Sequence, residues 1–314
     1  MANFIVNSPG QVNGAGARDA LFLKLFSGEV LSAYGRNAQM DKHVRKKTIT
    51  GGNSYQFPAI GYASTAIHTP GTQLTGSSIP HAEVVISLEG RITSHVTMDS
   101  AELAQVPYDA RMEYSRAIGE GLAYSMDRHL AANMLNSTRQ GPIVTGTQGG
   151  GSITQATART DGAVLALAIQ QAQAALKGKD VPVNADVHCA LKPAEYALLG
   201  REPTYVLNRD IGGQPEFASQ HITLVGGVKV FESNSLPWGE DLSSSTILHP
   251  SARVNATNTA ALVFTRDTAA AVILQGLAIE SEYNVDKLAT ILVGHFYAGF
   301  GPLRSSNGIE IKVA

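Results

Sequence analysis

Cys189 and nine histidines are the side chains best suited to act as nucleophile, base or metal ligand. Their spacing supports none of these roles. His188 and Cys189 are adjacent, and on a strand neighbours point to opposite faces. That argues against a shared thiolate–imidazole site or metal and favours a buried structural cysteine. The histidines stand singly, without an HExxH pattern or a close His/Asp pair at ligand spacing. There is no GxSxG elbow for a serine nucleophile and no GxxxxGK[ST] loop to grip a phosphate. The glycine-rich stretch Gly146–Ser152 precedes no strand–turn–helix unit and reads as a linker. Carboxylates are sparse and fit no catalytic pairing. No catalytic, cofactor-binding or metal-binding residue is assigned. A catalytic triad needs no local motif, so a soluble enzyme stays open with no residue in its favour.

The chemistry that does stand out is charge. HVRKKTITGGNSYQFP, residues 43–58, sets Arg45, Lys46 and Lys47 in a row before a Gly-Gly-Asn turn. Such a cluster can meet phosphates, but no interleaved aromatics accompany it for base stacking. Residues 1–47 hold seven cations against three carboxylates; residues 48–107 hold Arg91 against Glu83, Glu89, Asp99 and Glu102. A basic arm followed by an acidic segment is more easily neutralised between copies than along one extended chain. The bland alternative is a solvated run, where exposed pairs contribute about 0–1 kcal/mol each.

The elements that must position these residues follow from pattern. The chain has 314 residues, 44% of them hydrophobic and only 16% charged, against about 25% charged in an ordinary soluble domain. Two solutions fit equally: surface buried against other copies, or a surface of Ser, Thr, Asn, Gln and Gly. Net charge is −2, so no global basic field attracts nucleic acid. One cysteine excludes an internal disulfide and fits folding in a reducing cytosol. The first residues lack signal-peptide character. The longest apolar run, Leu288 to Phe300, is broken by Gly294, His295 and Gly299 and is shorter than the roughly 20 residues a bilayer needs.

Residues 1–17 are expected to be loose, and 18–34 to form a short amphipathic helix stopped by Gly35. Thr48-Ile49-Thr50 and Ser54–Phe57 read as a hairpin round Gly51-Gly52-Asn53. Alternation from Ala82 to His95 gives a return strand, so 46–99 forms a thin two-stranded finger with a loose tip. Such a finger cannot bury its own apolar face. Tyr55, Phe57 and Ile60 therefore need cover. A helical turn at Ser100–Gln105 precedes a long helix, Pro107 to Asn136, with a stripe of Tyr108, Met112, Ile118, Leu122, Met126, Leu130 and Met134. Gly119 and Gly121 each cost about 1 kcal/mol in mid-helix, and mark a bend or a close backbone approach. Thr160 or Asp161 caps a helix through Leu176, which Lys177-Gly178 stop. Beyond Val181 short strands dominate: 187–191, 222–231 as a hairpin or bulged strand round Gly226-Gly227, 261–265, 270–280 and 309–313. Pro193–Leu199 reads as a short helix, and the apolar run 285–300 as helix or strand.

This order of parts resembles the HK97-type capsid fold. Local matches are closer: Ala20–Leu31 (ALFLKLFSGEVL), Gln56–Gly61 (QFPAIG), Pro70-Gly71, Glu113-Tyr-Ser, Gly119–Leu122 (GEGL), Gly226–Val230 (GGVKV), Ser235-Leu-Pro237 and Gly299–Arg304 (GFGPLR) resemble the major capsid proteins of short-tailed, T7-like phages. The resemblance covers about 18–313 and departs near 137–160 and 238–258. It implies an α+β chain with an N-terminal arm at 1–45 and an extended loop at 46–106. A peripheral domain at 107–180 and 268–293 would hold the spine helix 107–136, and an axial domain would span 181–267 and 294–314. It implies a shell of pentamers and hexamers round double-stranded DNA in a virion assembled in the host cytoplasm, with no catalysis, cofactor or membrane. Scaffolding protein and portal are the other partners implied, and whether a decoration protein binds stays open. On this reading Arg45, Lys46, Lys47, Tyr55, Phe57, Ile60, Glu83 and Glu89 are inter-subunit contacts, and the helix bends at Gly119 and Gly121. The same fold builds encapsulin-like nanocompartments, a second reading that the phage-type matches disfavour.

Overall fold

The computed structural model describes residues 29–34, 38–65, 67–71, 73, 76, 78–99, 110–182, 184–201, 224–285 and 288–313. The expected loose arm at 1–17, most of the helix 18–34 with its Gly35 stop, the turn at Ser100–Gln105 and the helix start at Pro107–Asp109 lie outside them. So does Ile222. The chain gathers into two compact units: 1–38, 91–125 and 275–297 form the first; 39–90, 126–274 and 298–314 form the second.

The second unit is built on a six-stranded mixed sheet, β5-β12-β9-β6-β8-β7. Its strands are β5 (Gly151–Thr154), β6 (Val187–Leu191), β7 (Leu224–Val225), β8 (Val228–Glu232), β9 (Thr259–Thr265) and β12 (Gly308–Lys312). Two helices pack on it, α2 (Gly162–Gly178) and α3 (Pro193–Arg201). Leu165, Ile169 and Leu176 of α2 join Cys189, Val263, Ile309 and Ile311 in one fully buried cluster, each large side chain worth about 1.5–3 kcal/mol. Alanines 166, 168 and 172 share that face of α2 and let it lie close to the sheet. Local chemistry sets the boundaries. Asp161 accepts hydrogen bonds from the amides of Ala163 and Val164, capping α2. Gly226 and Gly227 take φ of +57° and +89°, as a tight β7–β8 hairpin requires.

Three expectations are corrected here. α2 runs through Gly178, and Asp180 makes the left-handed stop at φ +60°; asparagine and aspartate tolerate that region better than other side chains. The supposed linker Gly146–Ser152 contributes to β5, which pairs in parallel with β12. Thr48-Ile49-Thr50 does not pair with Ser54–Phe57. Instead β1 (Arg45–Thr48) pairs in parallel with the start of β10 (Ala269–Asn284), and Ile49 N–H extends that ladder to Ile273 O at 2.9 Å. The Gly-Gly-Asn segment crosses between sheets, with Gly52 at φ +99°. The true finger is β2 (Ser54–Ile60) against β3 (His81–Ser87), antiparallel, with Tyr55 opposite Ile86 and Phe57 opposite Val84.

In the first unit, β4 (Arg91–Asp99) pairs antiparallel with β11 (Ala289–Pro302), Asp99 opposite Ala289 through Arg91 opposite Tyr297. β4 therefore leaves the finger at Gly90. The 285–300 run is strand, not helix. α1 (Ala110–Thr138) is continuous through Gly119 and Gly121. A Cβ on Gly119 would lie 2.7 Å from both Ala33 Cβ and Val30 O of the helical segment 29–34; one on Gly121 would meet only Ser94 Oγ at 3.8 Å. Gly119 is thus a close approach of two helix backbones. Met112 is 52% exposed, unlike the rest of its expected stripe from Ile118 to Met134; Tyr108 lies outside the described residues.

From Met126 onward α1 belongs to the second unit, where its polar residues are buried too. Asp127, Arg128, His129, Asn133 and Ser137 are all nearly inaccessible. Burial of polar groups is tolerable when they are hydrogen-bonded. Arg128 donates to Glu240 at 2.5 Å, and Asn133 to His129 O at 2.9 Å.

Candidate interaction surface

The three consecutive cations lie exposed on β1. Arg45 faces Asp267 at 3.7 Å and Lys46 donates to Asp41 at 2.6 Å. Lys47 Nζ sits 5.4 Å from the centre of the Tyr55 ring. These contacts tether the side chains without covering them, since Arg45 keeps 54% of its side-chain exposure and Lys46 40%. Pairs this wet contribute about 0–1 kcal/mol. Glu83 is exposed on the outer face of β3, opposite Pro58. Glu89 is engaged in its own chain, accepting from Ser251 N–H at 3.5 Å and lying 3.9 Å from His249 Nδ1.

The finger's two faces differ. Tyr55, Phe57 and Ala59 share one face with Ala82, Val84 and Ile86, and on it Phe57 and Ile86 are buried. Its cover comes from the same chain. A Cβ on Gly299 would strike the Ser87 carbonyl, and one on Gly301 would lie 2.8 Å from Ile86 Cγ1, so β11 lies flat against the finger's root. Phe57 therefore needs no neighbour, contrary to expectation. The other face is open. Ile60 is 63% and Val85 48% exposed, and Tyr62 and Ile67 project beyond them at 66% and 99%.

Several polar groups have partners far away in sequence. Asp127 accepts from the amides of Gln39 and Met40, each at 3.0 Å, and from Ser235 Oγ at 3.0 Å. Burial pushes its pKa up to about 6, against the pull of those hydrogen bonds. The His43 and His188 rings lie 4.2 Å apart. Burial, then His188 and the charges of Lys42 and Lys229, lowers His43 to about 4; burial first and Lys229 second lower His188. His129 Nε2 accepts from His249 N–H at 3.1 Å, and burial lowers His249. Burial raises the Cys189 thiol far above its ordinary range. Among the described residues no group of three or more His, Cys, Asp or Glu side chains could hold a metal ion, and no helix is long and apolar enough to cross a membrane.

A one-sided finger, a long helix and a mixed lobe define a shell subunit of the HK97-type capsid fold, and solved structures carry that fold throughout. The capsid of the cyanophage P-SCSP1u superposes with a TM-score of 0.79 and 34% identity over 100% of this chain and 99% of that one. The mature capsid of bacteriophage PhiM1 gives 0.73 and 17%, over 88% and 87%. A virus-like particle from Pyrococcus furiosus gives 0.60 at 11% identity, a likeness of fold alone. Residues 56–312 match the profile of the Gp10A-like major capsid proteins, and this chain belongs to that family. The major capsid protein of Escherichia phage T7 is 38% identical over 125 residues, 39% of this chain and 36% of that protein. That of Enterobacteria phage T3 is 38% identical over 133 residues, 41% and 38%. The matched segment thus spans little more than a third of the curated relatives.

Proposed function

We propose that this major capsid protein assembles into pentamers and hexamers of an icosahedral shell enclosing a phage's double-stranded DNA, without catalysis or cofactor. Arm 1–45, extended loop 46–106, a peripheral domain at 107–180 and 268–293 and an axial domain at 181–267 and 294–314 are its working parts. Assembly takes place in the host cytoplasm, and scaffolding protein and portal are further partners. The single observation that carries this reading is the finger's outer face. The finger leaves Ile60 and Val85 in water on that face, with Tyr62 exposed just beyond it, and identical copies cover it. Closure then follows mass action over many weak contacts. Rotation of whole parts between precursor and mature shell would flex α1 at Gly119 or Gly121.

Arg45, Lys46 and Lys47 are assigned to contacts between copies first and to DNA second. The test is charge reversal at all three positions in the full chain. Their own-chain partners are weak, so the subunit keeps its circular dichroism and unfolding midpoint, while negative-stain microscopy shows no shells. Normal shells from that variant defeat the assignment. A wild-type protein that stays monomeric under all assembly conditions defeats the shell reading itself.

A further inference from the structure

We infer that a cleft in the second unit receives the β10–β11 hairpin tip of another copy. This rests on the shell reading above and specifies one of its contacts. Two cavities of about 450 and 240 Å³ share Tyr62, Lys179, Asp180, Arg304 and Ser306 and therefore adjoin. The larger end is cationic, lined by Lys42, Lys179, Arg266 and Arg304. Two carboxylates there are already committed, Asp186 to Lys229 at 2.6 Å and Asp267 to Arg45 at 3.7 Å. Asp180 stands at the junction of the two cavities. Lys179 donates to Gly149 O and Arg266 to Val44 O, but none of the four cations has an ion-pair partner among the described residues. The smaller end sets Ile60, Tyr62 and Ile143 among polar residues such as Thr147, Gln148 and Ser305.

An occupant must bring carboxylates and apolar side chains together on a narrow element. The tip of β10 has both. Glu280 and Glu282 are exposed, two residues apart and therefore on one face of the strand, and neither has an ion-pair partner among the described residues. Next to them Tyr283, Val285 and Leu288 are 48%, 71% and 58% exposed. Unpaired cations on the cleft and unpaired carboxylates on the hairpin are complementary. A DNA backbone would neutralise the cations but leave Ile60, Tyr62 and Ile143 without use and meet Asp180 with repulsion. A closed assembly of identical chains makes head-to-tail contacts of this kind.

Two measurements decide it. Isotopically light and heavy wild-type chains are mixed, assembled and treated with a zero-length carbodiimide. Mass spectrometry should find Glu280 or Glu282 joined to Lys42 or Lys179 in mixed light–heavy pairs. Separately, Lys42→Glu with Arg304→Glu, and Glu280→Lys with Glu282→Lys, should each cut shell yield by about tenfold or more with the chain still folded, and the four changes together should restore it. Assembled shells without the mixed cross-link overturn the proposal, as do reversed chains that assemble normally or a combined chain that fails to recover. Protection of Lys42 and Lys179 from acetylation only in DNA-filled particles would make the cleft a phosphate site instead, and also overturns it. If wild type forms no shells, the shell reading fails. The mixed cross-link in smaller oligomers then still supports the cleft contact, and its absence removes that too.

Discussion

Asp127 shows what one residue does in this chain. Its carboxylate gathers two amides at the start of a 3-10 turn, Met40–His43, and the hydroxyl of Ser235. Its folded pKa of about 6 lies above the ordinary 3.8. The folded state therefore binds this proton more tightly than the unfolded chain does. Its contribution to stability is fully present below about pH 4 and is lost as pH rises through about 6, a change on the order of 3 kcal/mol. Urea unfolding of the dissociated subunit should show that slope, and Asp127→Asn should flatten it. The variant will also be less stable at acid pH, because one amide hydrogen now faces other donors. An unchanged slope in Asp127→Asn would place the titration elsewhere. Asp127 was not legible beforehand: its partners lie 87, 88 and 108 residues away, beyond any local motif.

At the scale of elements, glycines decide what can touch. Gly119→Ala gains about 1 kcal/mol of helix propensity, yet the new Cβ meets the backbone of segment 29–34. A clash with backbone outweighs propensity, so the net effect is a loss of about 1–3 kcal/mol. Gly121→Ala meets only Ser94 Oγ at ordinary distance and should stabilise by about 0.5–1 kcal/mol. Midpoints of urea unfolding will read the opposite signs. If Gly121 is also where α1 flexes, that alanine will slow shell expansion while raising stability. Two glycines were visible in the helix pattern; that one is a contact and the other is not depended on a segment some 90 residues away. Gly299 and Gly301 carry the same lesson. They stood in the GFGPLR stretch, but only the fold shows that their bareness lets β11 lie against the finger's root.

The whole molecule is short of charge and long on one-sided surfaces. Ile60, Tyr62, Val85 and Ile67 are exposed together with the tip residues Tyr283, Val285 and Leu288. An unassembled chain should therefore bind a hydrophobic dye while fully folded, and lose that binding on assembly. Ile60→Ser with Val85→Ser should reduce the dye signal and slow assembly without lowering the unfolding midpoint, since both side chains are already in water. A drop in the midpoint would mean that the face is covered within the chain.

Local rules act over a few residues, and what they govern could be read from the sequence alone. That includes the Asp161 cap, the Gly226-Gly227 turn, the order of long helix and short strands, and the concentration of cations before the finger. Pairing and burial needed the tertiary structure. β1 chose Ala270–Ile273 over its near neighbour Ser54–Phe57, β4 left the finger for β11, and Phe57 found cover at home while Ile60 did not. Those choices set a ladder or an apolar contact against the entropy of closing a long loop, which grows only slowly with length. A distant partner with a better surface can therefore win, and sequence distance does not reveal it.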